Sequence, residues 1–285
     1  MRPEPALLQT TGRMRLLPRA VGGTHGIGER RSRQKGAGTD FADFREYAPG
    51  DELRHVDPHL HARFGQFHIR RYEVTQHLPV AILLDGSASM KGGKLALAKW
   101  LAVFLAHIAT VGGDRSELLV RTARRLERSP VFHRKGQSDA AANWLDRYTA
   151  ETGGGLDLVL REAAPFLKPR SLVIVISDFW LEEPERALRP LGADGREVWA
   201  IRILSPEERD PRETGDLLLV DSETGTEIAA RVGPGQIAAY RAFIAEFGTR
   251  VERLCHGMEG RFLDLDSVSP PGWLAARLRS AGWIG

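Results

Sequence analysis

The chain has 285 residues, of which 42% are hydrophobic, so it is long enough to bury a sizeable core. Its formal net charge of +3 is too small to indicate nucleic-acid binding by itself. The single cysteine, Cys255, excludes a framework of internal disulfides and favours a reducing compartment. The longest apolar stretch, residues 100–111, is shorter than the roughly 20 residues that span a membrane, and the N-terminus lacks an apolar run of signal-peptide length. We therefore expect a cytoplasmic protein with no membrane partner, in which Cys255 is a small buried side chain.

The first 75 residues show no alternation of strands and helices, and we expect residues 1–75 to form an N-terminal segment that packs on the core. Within it, residues 28–38 are rich in Gly and Arg and indicate a solvated loop. Nucleic-acid binding through this basic loop is an alternative, although the loop lacks aromatic side chains on which bases stack. Pro-Gly-Asp at 49–51 predicts a turn, and the alternation over 64–74 predicts a strand. The basic residues that would carry nucleic-acid binding are Arg30, Arg31, Arg33 and Lys35.

Residues 76–285 show strands that alternate with helices. Continuous apolar runs such as PVAILLD, at 79–85, are typical of strands buried on both faces. This alternation predicts a parallel sheet with helices on both faces, which is a three-layer α/β sandwich. An antiparallel hairpin is expected as an insertion at about 214–232. The other predicted strands are 116–122, 171–179, 196–204 and 261–265. The predicted helices are 94–113, 138–150 with Ser138 as its N-cap, 156–167, a short helix from Pro184, 234–256 and 271–282.

Two of the apolar strands end in aspartate, at Asp85 and Asp178. In open parallel sheets, ligands bind beyond the carboxyl ends of the strands, where the strand order reverses. Asp85 begins an Asp-x-Ser-x-Ser sequence, and alternate residues of an extended turn point the same way, so the hydroxyls of Ser87 and Ser89 can join the carboxylate around one ion. These hard oxygen donors suit Mg²⁺, Mn²⁺ or Ca²⁺. Because the hydroxyls are neutral, the ion would keep an affinity for a carboxylate of another protein.

Several segments carry a family resemblance. DGSAS after an apolar strand resembles the metal-ion-dependent adhesion site of von Willebrand A domains. Over nearly the whole chain, the sequence is similar to the bacterial family known as domain of unknown function 58, in the segments FREYAPGDELRHVD, HARFGQFHIRRYE, LLDGSASM and GDLLLVDSETGTEI. The resemblance implies a von Willebrand A-like, Rossmann-type fold.

The resemblance also implies a site and a partner. Asp85, Ser87 and Ser89 would be metal ligands, and Asp178 a further ligand that often acts through water. The expected cofactor is Mg²⁺, with Mn²⁺ or Ca²⁺ as substitutes. Family members are typically encoded beside MoxR-type AAA+ ATPases, so the expected partner is such an ATPase or its client. We therefore expect a non-enzymatic adaptor or co-chaperone that binds a partner's carboxylate through a metal ion.

The sequence departs from the family's pattern at two places. The middle loop, ETGGGLDL, has Gly155 or Leu156 where the family has a threonine ligand, and Thr149 or Thr152 is the available substitute. The N-terminal motif has Pro58 where the family has a tryptophan, which we expect to alter the packing of that segment.

Three other interpretations of the site are open. Asp85 and the two serines can be N-cap residues of the following helix. Asp85 can be the nucleophile of a Mg²⁺-dependent phosphoryl-transfer enzyme, although the residue two positions later is Ser87 and not a second carboxylate. Residues 88–95 approach a phosphate loop, but they lack its first glycine and its final hydroxyl.

A group of histidines stands in the N-terminal segment. His59 and His61 are two residues apart and would share a face on a strand, which would permit a transition-metal site. An arginine-rich, solvated surface is the simpler interpretation. The group consists of His55, His59, His61 and His68, with His77 nearby.

Overall fold

The computed structural model of the chain describes residues 2–20, 31–32, 40–48, 56–75, 77–122, 124–151 and 155–285. The chain divides into a larger unit, residues 1–21 and 78–285, and a smaller unit, residues 22–77. The strands are β1 (Arg31–Ser32), β2 (Asp40–Glu46), β3 (His68–Thr75), β4 (Pro79–Leu84), β5 (Arg115–Arg121), β6 (Leu126–Arg128), β7 (Leu172–Ser177), β8 (Glu197–Leu204), β9 (Gly215–Val220), β10 (Glu227–Val232) and β11 (Arg261–Asp266). The helices are α1 (Pro5–Thr10), α2 (Pro58–Phe64), α3 (Gly93–Val111), α4 (Ser138–Leu145), α5 (Leu156–Ala163), α6 (Pro184–Leu188), α7 (Pro206–Arg209), α8 (Pro234–Gly257) and α9 (Pro271–Ser280).

The larger unit is built on a six-stranded sheet with the order β11–β8–β7–β4–β5–β6. Neighbouring strands are parallel, except that β5 and β6 pair antiparallel. The chain adds β5 on one side of β4 and later adds β7 on the other side. The strand order therefore reverses between β4 and β7. The parallel pairing of all strands except β6 confirms the predicted mostly parallel sheet.

Helices cover both faces of this sheet. Alternate residues of a strand point to opposite faces. Accordingly, Ile174 of β7 belongs to the core cluster that includes α3, α4 and α9, whereas its neighbour Val175 belongs to the cluster that includes α5, α6 and α8. These layers and the strand order are those of the predicted von Willebrand A-like, Rossmann-type sandwich.

Helix α3 is the central helix of the larger core cluster. Its length and composition would suffice to cross a membrane, but 78% of its most apolar window is buried within the fold. Trp100 stacks on Phe104 with 5.0 Å between the ring centroids. Its His107 is paired through Nδ1 with the hydroxyl of Ser138 at 2.9 Å. The prediction of Ser138 as an N-cap is wrong, because Gln137 occupies the N-cap position of α4 and Ser138 is the first helical residue. The helix ends at Leu145.

Cys255 lies on α8 in the second core cluster and is buried. Burial, and secondarily the charge of Glu252, raises the pKa of its thiol to about 12. The expectation of a small buried side chain is confirmed.

The predicted hairpin is formed by β9 and β10, which pair antiparallel with Val220 opposite Glu227. Its turn spans residues 221–226. The bounds agree with the predicted insertion at about 214–232.

The first twenty residues belong to the larger unit. Leu16 is fully buried in the core and forms an isolated antiparallel bridge with Ile284. The N–H of Arg15 donates to the carbonyl of Gly285 at 2.9 Å. The N-terminal segment expected over 1–75 is thus divided, because Leu16 finds its apolar partners in the larger unit and the rest forms the smaller one.

The smaller unit contains a three-stranded antiparallel sheet, in the order β1–β3–β2, and helix α2. Pro58 is the first residue of α2, and the carboxylate of Asp57 caps the helix by accepting the N–H of His59 at 2.9 Å. Because this cap starts a helix, the strand predicted over 64–74 begins only at His68.

The expectation that His59 and His61 share a face is wrong. Both lie on α2, where residues two apart point in nearly opposite directions. The ring of His61 stacks on Phe67, with 3.9 Å between the centroids. In the described part of the chain, no three His, Cys, Asp or Glu side chains are grouped to hold a metal ion. Outside that part lie the turn at 49–51, His55, Arg30, Arg33 and Lys35.

Truncation of Leu16 should destabilise the larger unit. Leu16→Ala removes a fully buried side chain, and we expect the free energy of unfolding to fall by about 2–4 kcal/mol. Urea unfolding followed by circular dichroism measures this change. Leu17→Ala, at the adjacent half-buried position, should cost no more than about 1 kcal/mol. Equal losses in the two variants would contradict the role of Leu16 in the core.

Candidate metal site

Asp85 and Asp178 follow the carboxyl ends of β4 and β7, which are neighbours in the sheet. The N–H of Asp85 donates to the carbonyl of Ile176 at 3.0 Å. Both aspartates are buried, at 1% and 3% exposure. The hydroxyl of Ser177 donates to Oδ2 of Asp85 at 2.6 Å and lies 3.5 Å from Oδ1 of Asp178. The structure thus brings the two carboxylates together where the strand order reverses.

Ser87 and Ser89 lie in the turn that follows Asp85. The N–H of Ser87 donates to Oδ1 of Asp85 at 2.9 Å, and the hydroxyls of Ser87 and Ser89 are hydrogen-bonded at 3.0 Å. Gly86 lets this turn pack against the end of β5, since a Cβ there would lie 2.7 Å from the carbonyl oxygen of Arg121. One turn therefore brings a carboxylate and two hydroxyl groups close together.

The interpretation of these serines as side-chain caps of the following helix is wrong, although Ser87 occupies the N-cap position of a short 3-10 helix. Residue Gly92 is the N-cap of α3, and it makes no side-chain cap hydrogen bond. Ser87 precedes the short 3-10 helix Ala88–Met90, and its side chain makes none either. Both hydroxyls are engaged with each other and not with a helix terminus.

The middle loop reaches the same turn through its backbone. The N–H of Glu151 donates to the carbonyl of Gly86 at 2.9 Å, and Glu151 forms an isolated parallel bridge with Ser87. Thr149 is exposed, and Thr152 lies outside the described residues. A middle-loop ligand therefore stays a prediction.

Lys94, in the first turn of α3, was not predicted as part of the site. Its side chain is buried, and Nζ donates to Oδ2 of Asp178 at 2.9 Å and also to Glu208. The same lysine is the one that gives residues 88–95 their likeness to a phosphate loop. Because its ammonium is held by two carboxylates, this arrangement does not favour phosphate binding.

Glu208 is held in place by a capping box at the start of α7. The N–H of Glu208 donates to the hydroxyl of Ser205 at 3.1 Å, and the N–H of Ser205 donates to Oε2 of Glu208 at 2.7 Å. Oε1 remains for Lys94. The sequence signal for this arrangement is Ser-x-x-Glu directly after a predicted strand.

The tip of the hairpin also reaches the site. The N–H of Ser89 donates to Oε1 of Glu223 at 2.8 Å. The other oxygen, Oε2, is buried and has no hydrogen-bond partner among the described residues. The sequence predicted the hairpin but not this contact, because residues so far apart along the chain leave no local pattern.

The electrostatics of the site are dominated by negative charge. Burial, and secondarily the charge of Asp178, raises the pKa of Asp85 to about 6, against hydrogen bonds that favour its ionised form. The charged groups joined by these hydrogen bonds are the carboxylates of Asp85, Asp178, Glu208 and Glu223 and the ammonium of Lys94. Four carboxylates and one ammonium leave an excess of negative charge that a divalent cation would offset.

The backbone after Asp178 is strained. Phe179 has φ of 61°, a left-handed conformation that costs a non-glycine residue about 1 kcal/mol or more. Its side chain is fully buried, and its N–H donates to the hydroxyl of Ser177 at 2.9 Å. The turn that results leaves Trp180 40% exposed beside the site. Strain of this kind occurs often at binding sites.

The donor atoms fit a hard divalent cation. Carboxylate and hydroxyl oxygens suit Mg²⁺, Mn²⁺ or Ca²⁺, whereas zinc sites are richer in nitrogen and sulfur ligands. The buried, unpartnered oxygen of Glu223 and the excess negative charge agree with such an ion. The residues that would hold it are Asp85, Ser87 and Ser89, with Asp178 acting through water.

Residues 43–249 match the model of the family described as Protein of unknown function DUF58. The chain belongs to this family. Relatives of this DUF58 chain include uncharacterized proteins of Mycobacterium bovis and Mycobacterium tuberculosis, each 27% identical over 254 residues, which cover 86% of this chain and 79% of the relative.

Among solved structures, the DUF58 chain is similar to the conserved hypothetical protein BatB from Bacteroides thetaiotaomicron, with 18% identity and a TM-score of 0.44. It is also similar to an aerotolerance-related membrane protein from Bacteroides fragilis, with 17% identity and a TM-score of 0.46. Each alignment covers 72% of this chain and 98% of the other. The VWA domain of SpRpn10 aligns at 10% identity and a TM-score of 0.40, over 72% of this chain and 95% of that one. The fold of the DUF58 chain is assigned from its own strand order and layers.

Without metal, the charge of Asp85 should destabilise the protein as the pH rises. Folding raises the pKa of Asp85 from 3.8 to about 6, so the stabilisation by its protonated form is complete below about pH 4 and is lost as the pH rises through 6. Asp85→Asn removes the charge and keeps an acceptor for Ser87. In EDTA we expect this variant to be more stable than the wild type by about 2–3 kcal/mol at neutral pH, and the two to converge near pH 4.

Urea unfolding at a series of pH values measures this difference. Asp139→Asn, at an exposed position in the first turn of α4, is the matched control and should show no pH-dependent gain. A gain for Asp85→Asn that is the same at every pH would contradict the assignment of a raised pKa to Asp85.

Proposed function

We propose that this protein is a metal-ion-dependent protein-interaction module that works as an adaptor or co-chaperone with a MoxR-type AAA+ ATPase. The observation that carries the proposal is the convergence of two buried carboxylates and two paired hydroxyls where the strand order of a parallel sheet reverses. Parallel sheets bind their ligands at this position.

In this proposal, Asp85, Ser87 and Ser89 hold Mg²⁺, Mn²⁺ or Ca²⁺ directly, and Asp178 acts through water. The bound ion supplies a positive centre that accepts an anionic oxygen. Since the two serine ligands are neutral, a carboxylate of the partner complements the charge. Binding of this kind makes and breaks no covalent bond.

Lys94 supports different roles for the two aspartates. Its ammonium pairs with Asp178, whereas no described cation forms a salt bridge with Asp85. The charge of Asp85 is therefore the one that a metal ion would offset directly. Asp178, whose charge is already paired with Lys94, is better suited to bind the ion through a water molecule.

Exposed apolar side chains beside the site support a protein as the ligand. Trp180 follows the second site aspartate by two residues and is 40% exposed, and tryptophan is frequent among the residues that dominate binding energy at interfaces. On the hairpin whose tip reaches the site, Leu218, Val220 and Ile228 are 59%, 58% and 60% exposed. A partner that places a carboxylate at the site would gain apolar contacts with these residues.

A MoxR-type ATPase, or a client of it, is proposed as the partner from the usual gene neighbourhood of the family. The same proposal puts both proteins in the cytoplasm.

Asp85→Ala should abolish metal binding and partner capture while the fold is kept. We expect the affinity for Mg²⁺, measured by calorimetry, to fall at least about 100-fold, because the variant loses a charged direct ligand. Capture of the purified MoxR-type ATPase from the same genome should be lost in the variant, and EDTA should have the same effect on the wild type.

The matched control for this experiment is Asp139→Ala, which removes an exposed carboxylate from α4 and should bind both ligands normally. Capture of the ATPase by Asp85→Ala at the wild-type level would refute the metal-dependent mechanism. Mg²⁺-dependent hydrolysis of phosphate esters that is lost in Asp85→Asn would instead support a phosphoryl-transfer enzyme.

Trp180→Ala should separate partner binding from metal binding. We expect capture of the ATPase to weaken at least about tenfold, because an exposed aromatic anchor is lost, and the Mg²⁺ affinity to stay within about twofold. Phe166→Ala is the control, since Phe166 is 48% exposed but lies beside Pro79 and Arg115, at the amino-terminal ends of β4 and β5 and away from the site. If the Trp180 and Phe166 variants capture the ATPase equally well, Trp180 is not part of the proposed interface.

A further inference from the structure

A carboxylate of the protein itself lies against the proposed metal site. Oε1 of Glu223 accepts the N–H of Ser89 at 2.8 Å, although the two residues are far apart in sequence. Oε2 of Glu223 is buried and has no hydrogen-bond partner among the described residues. A buried carboxylate oxygen is normally hydrogen-bonded or bound to a cation. The free lone pairs of Oε2 thus lie where a cation at the proposed site could bind them.

The turn of the hairpin is built to present Glu223. Oδ1 of Asp221 accepts the N–H groups of Glu223 and Thr224 at 2.8 and 2.7 Å. The backbone closes through Asp221, whose N–H donates to the carbonyl of Thr226 at 2.9 Å and whose carbonyl accepts the N–H of Gly225 at 2.8 Å. Gly225 has φ of 70°, which glycine adopts without strain. These bonds fix the backbone on both sides of Glu223.

The rest of the hairpin is held weakly. Among the described residues, β9 and β10 form a separate two-stranded sheet whose side chains are mostly exposed. A cleft of about 1180 Å³ separates the hairpin from α8 and is lined by Leu217, Leu219 and Tyr240. A two-stranded hairpin is only marginally stable by itself. Release of Glu223 from Ser89 would therefore remove the contact that ties the tip of the hairpin to the turn after β4.

We propose that Glu223 is an internal ligand of the metal site. The proposal rests on the metal-dependent function given above. The carboxylate of Glu223 takes the position that a partner's carboxylate needs, so a partner binds only when it displaces the hairpin tip. Glu223 also adds an oxygen donor to a site whose middle loop has Gly155 or Leu156 where a threonine is expected.

Glu223→Gln tests this inference, because the glutamine carbonyl still accepts the N–H of Ser89 while the charge is lost. Mn²⁺ serves as the probe: calorimetry gives its affinity, and water-proton relaxation reports how many water molecules the bound ion holds. We expect the affinity to fall about tenfold and the relaxation enhancement to rise, since water replaces a carboxylate. Added acetate should lower the enhancement of the variant at concentrations that leave the wild type unchanged.

Glu227→Gln is the matched control, because it removes the same charge from an exposed position of the same hairpin. It should bind Mn²⁺ as the wild type does. Hydrogen exchange gives a second measure: Mn²⁺ should slow amide exchange over residues 215–232 in the wild type and in Glu227→Gln, but not in Glu223→Gln.

The outcomes separate the two proposals. If Asp85→Ala abolishes Mn²⁺ binding but Glu223→Gln equals the wild type in affinity and relaxation, the internal ligand is refuted and the metal-dependent function stands. Equal changes in Glu223→Gln and Glu227→Gln would also refute it, since they would reflect a general loss of negative charge. If the wild type binds no Mn²⁺, both proposals fall.

Discussion

Two carboxylates at the ends of neighbouring strands contact one hydroxyl, that of Ser177, in the interior of the larger unit. Like charges repel strongly where water is excluded, and each carboxylate also loses hydration on burial. The two aspartates respond differently: the pKa of Asp85 rises, while Asp178 is neutralised by the ammonium of Lys94. Folds of ordinary stability are only marginally stable, so the burial of these charges is a considerable cost.

Charged groups and a strained turn surround these carboxylates. Lys94 is shared with Glu208, which a capping box at the start of α7 holds in place. Phe179, which follows Asp178, has a strained left-handed backbone conformation. The hairpin then brings Glu223 to the turn after β4. A further carboxylate at a site that is already negative is unfavourable unless a cation binds there. The proposed ion would offset the charge that Glu223 adds to the site.

Local patterns predicted the layers of the fold but not its long-range contacts. The strand ends at Asp85 and Asp178 were predicted, because continuous apolar runs identify buried parallel strands and their carboxyl ends share an edge. Helix α2 is not predicted, because its seven residues are too few for a helical apolar pattern and its main signal is the Asp-Pro cap at its start. The roles of Lys94 and Glu223 depend on how distant segments approach one another, and no spacing along the chain records that approach.

The pairing of Leu16 with Ile284 has a consequence for synthesis on the ribosome. Leu16 leaves the exit tunnel before any strand of the six-stranded sheet, whereas Ile284 emerges only after all of them. Until then the side chain of Leu16, which is fully buried in the finished fold, lacks the part of its cover that Ile284 supplies. Contacts between such distant segments slow folding and leave nascent chains open to aggregation. This part of the core therefore closes late, after the strands that lie between the two segments have been synthesised.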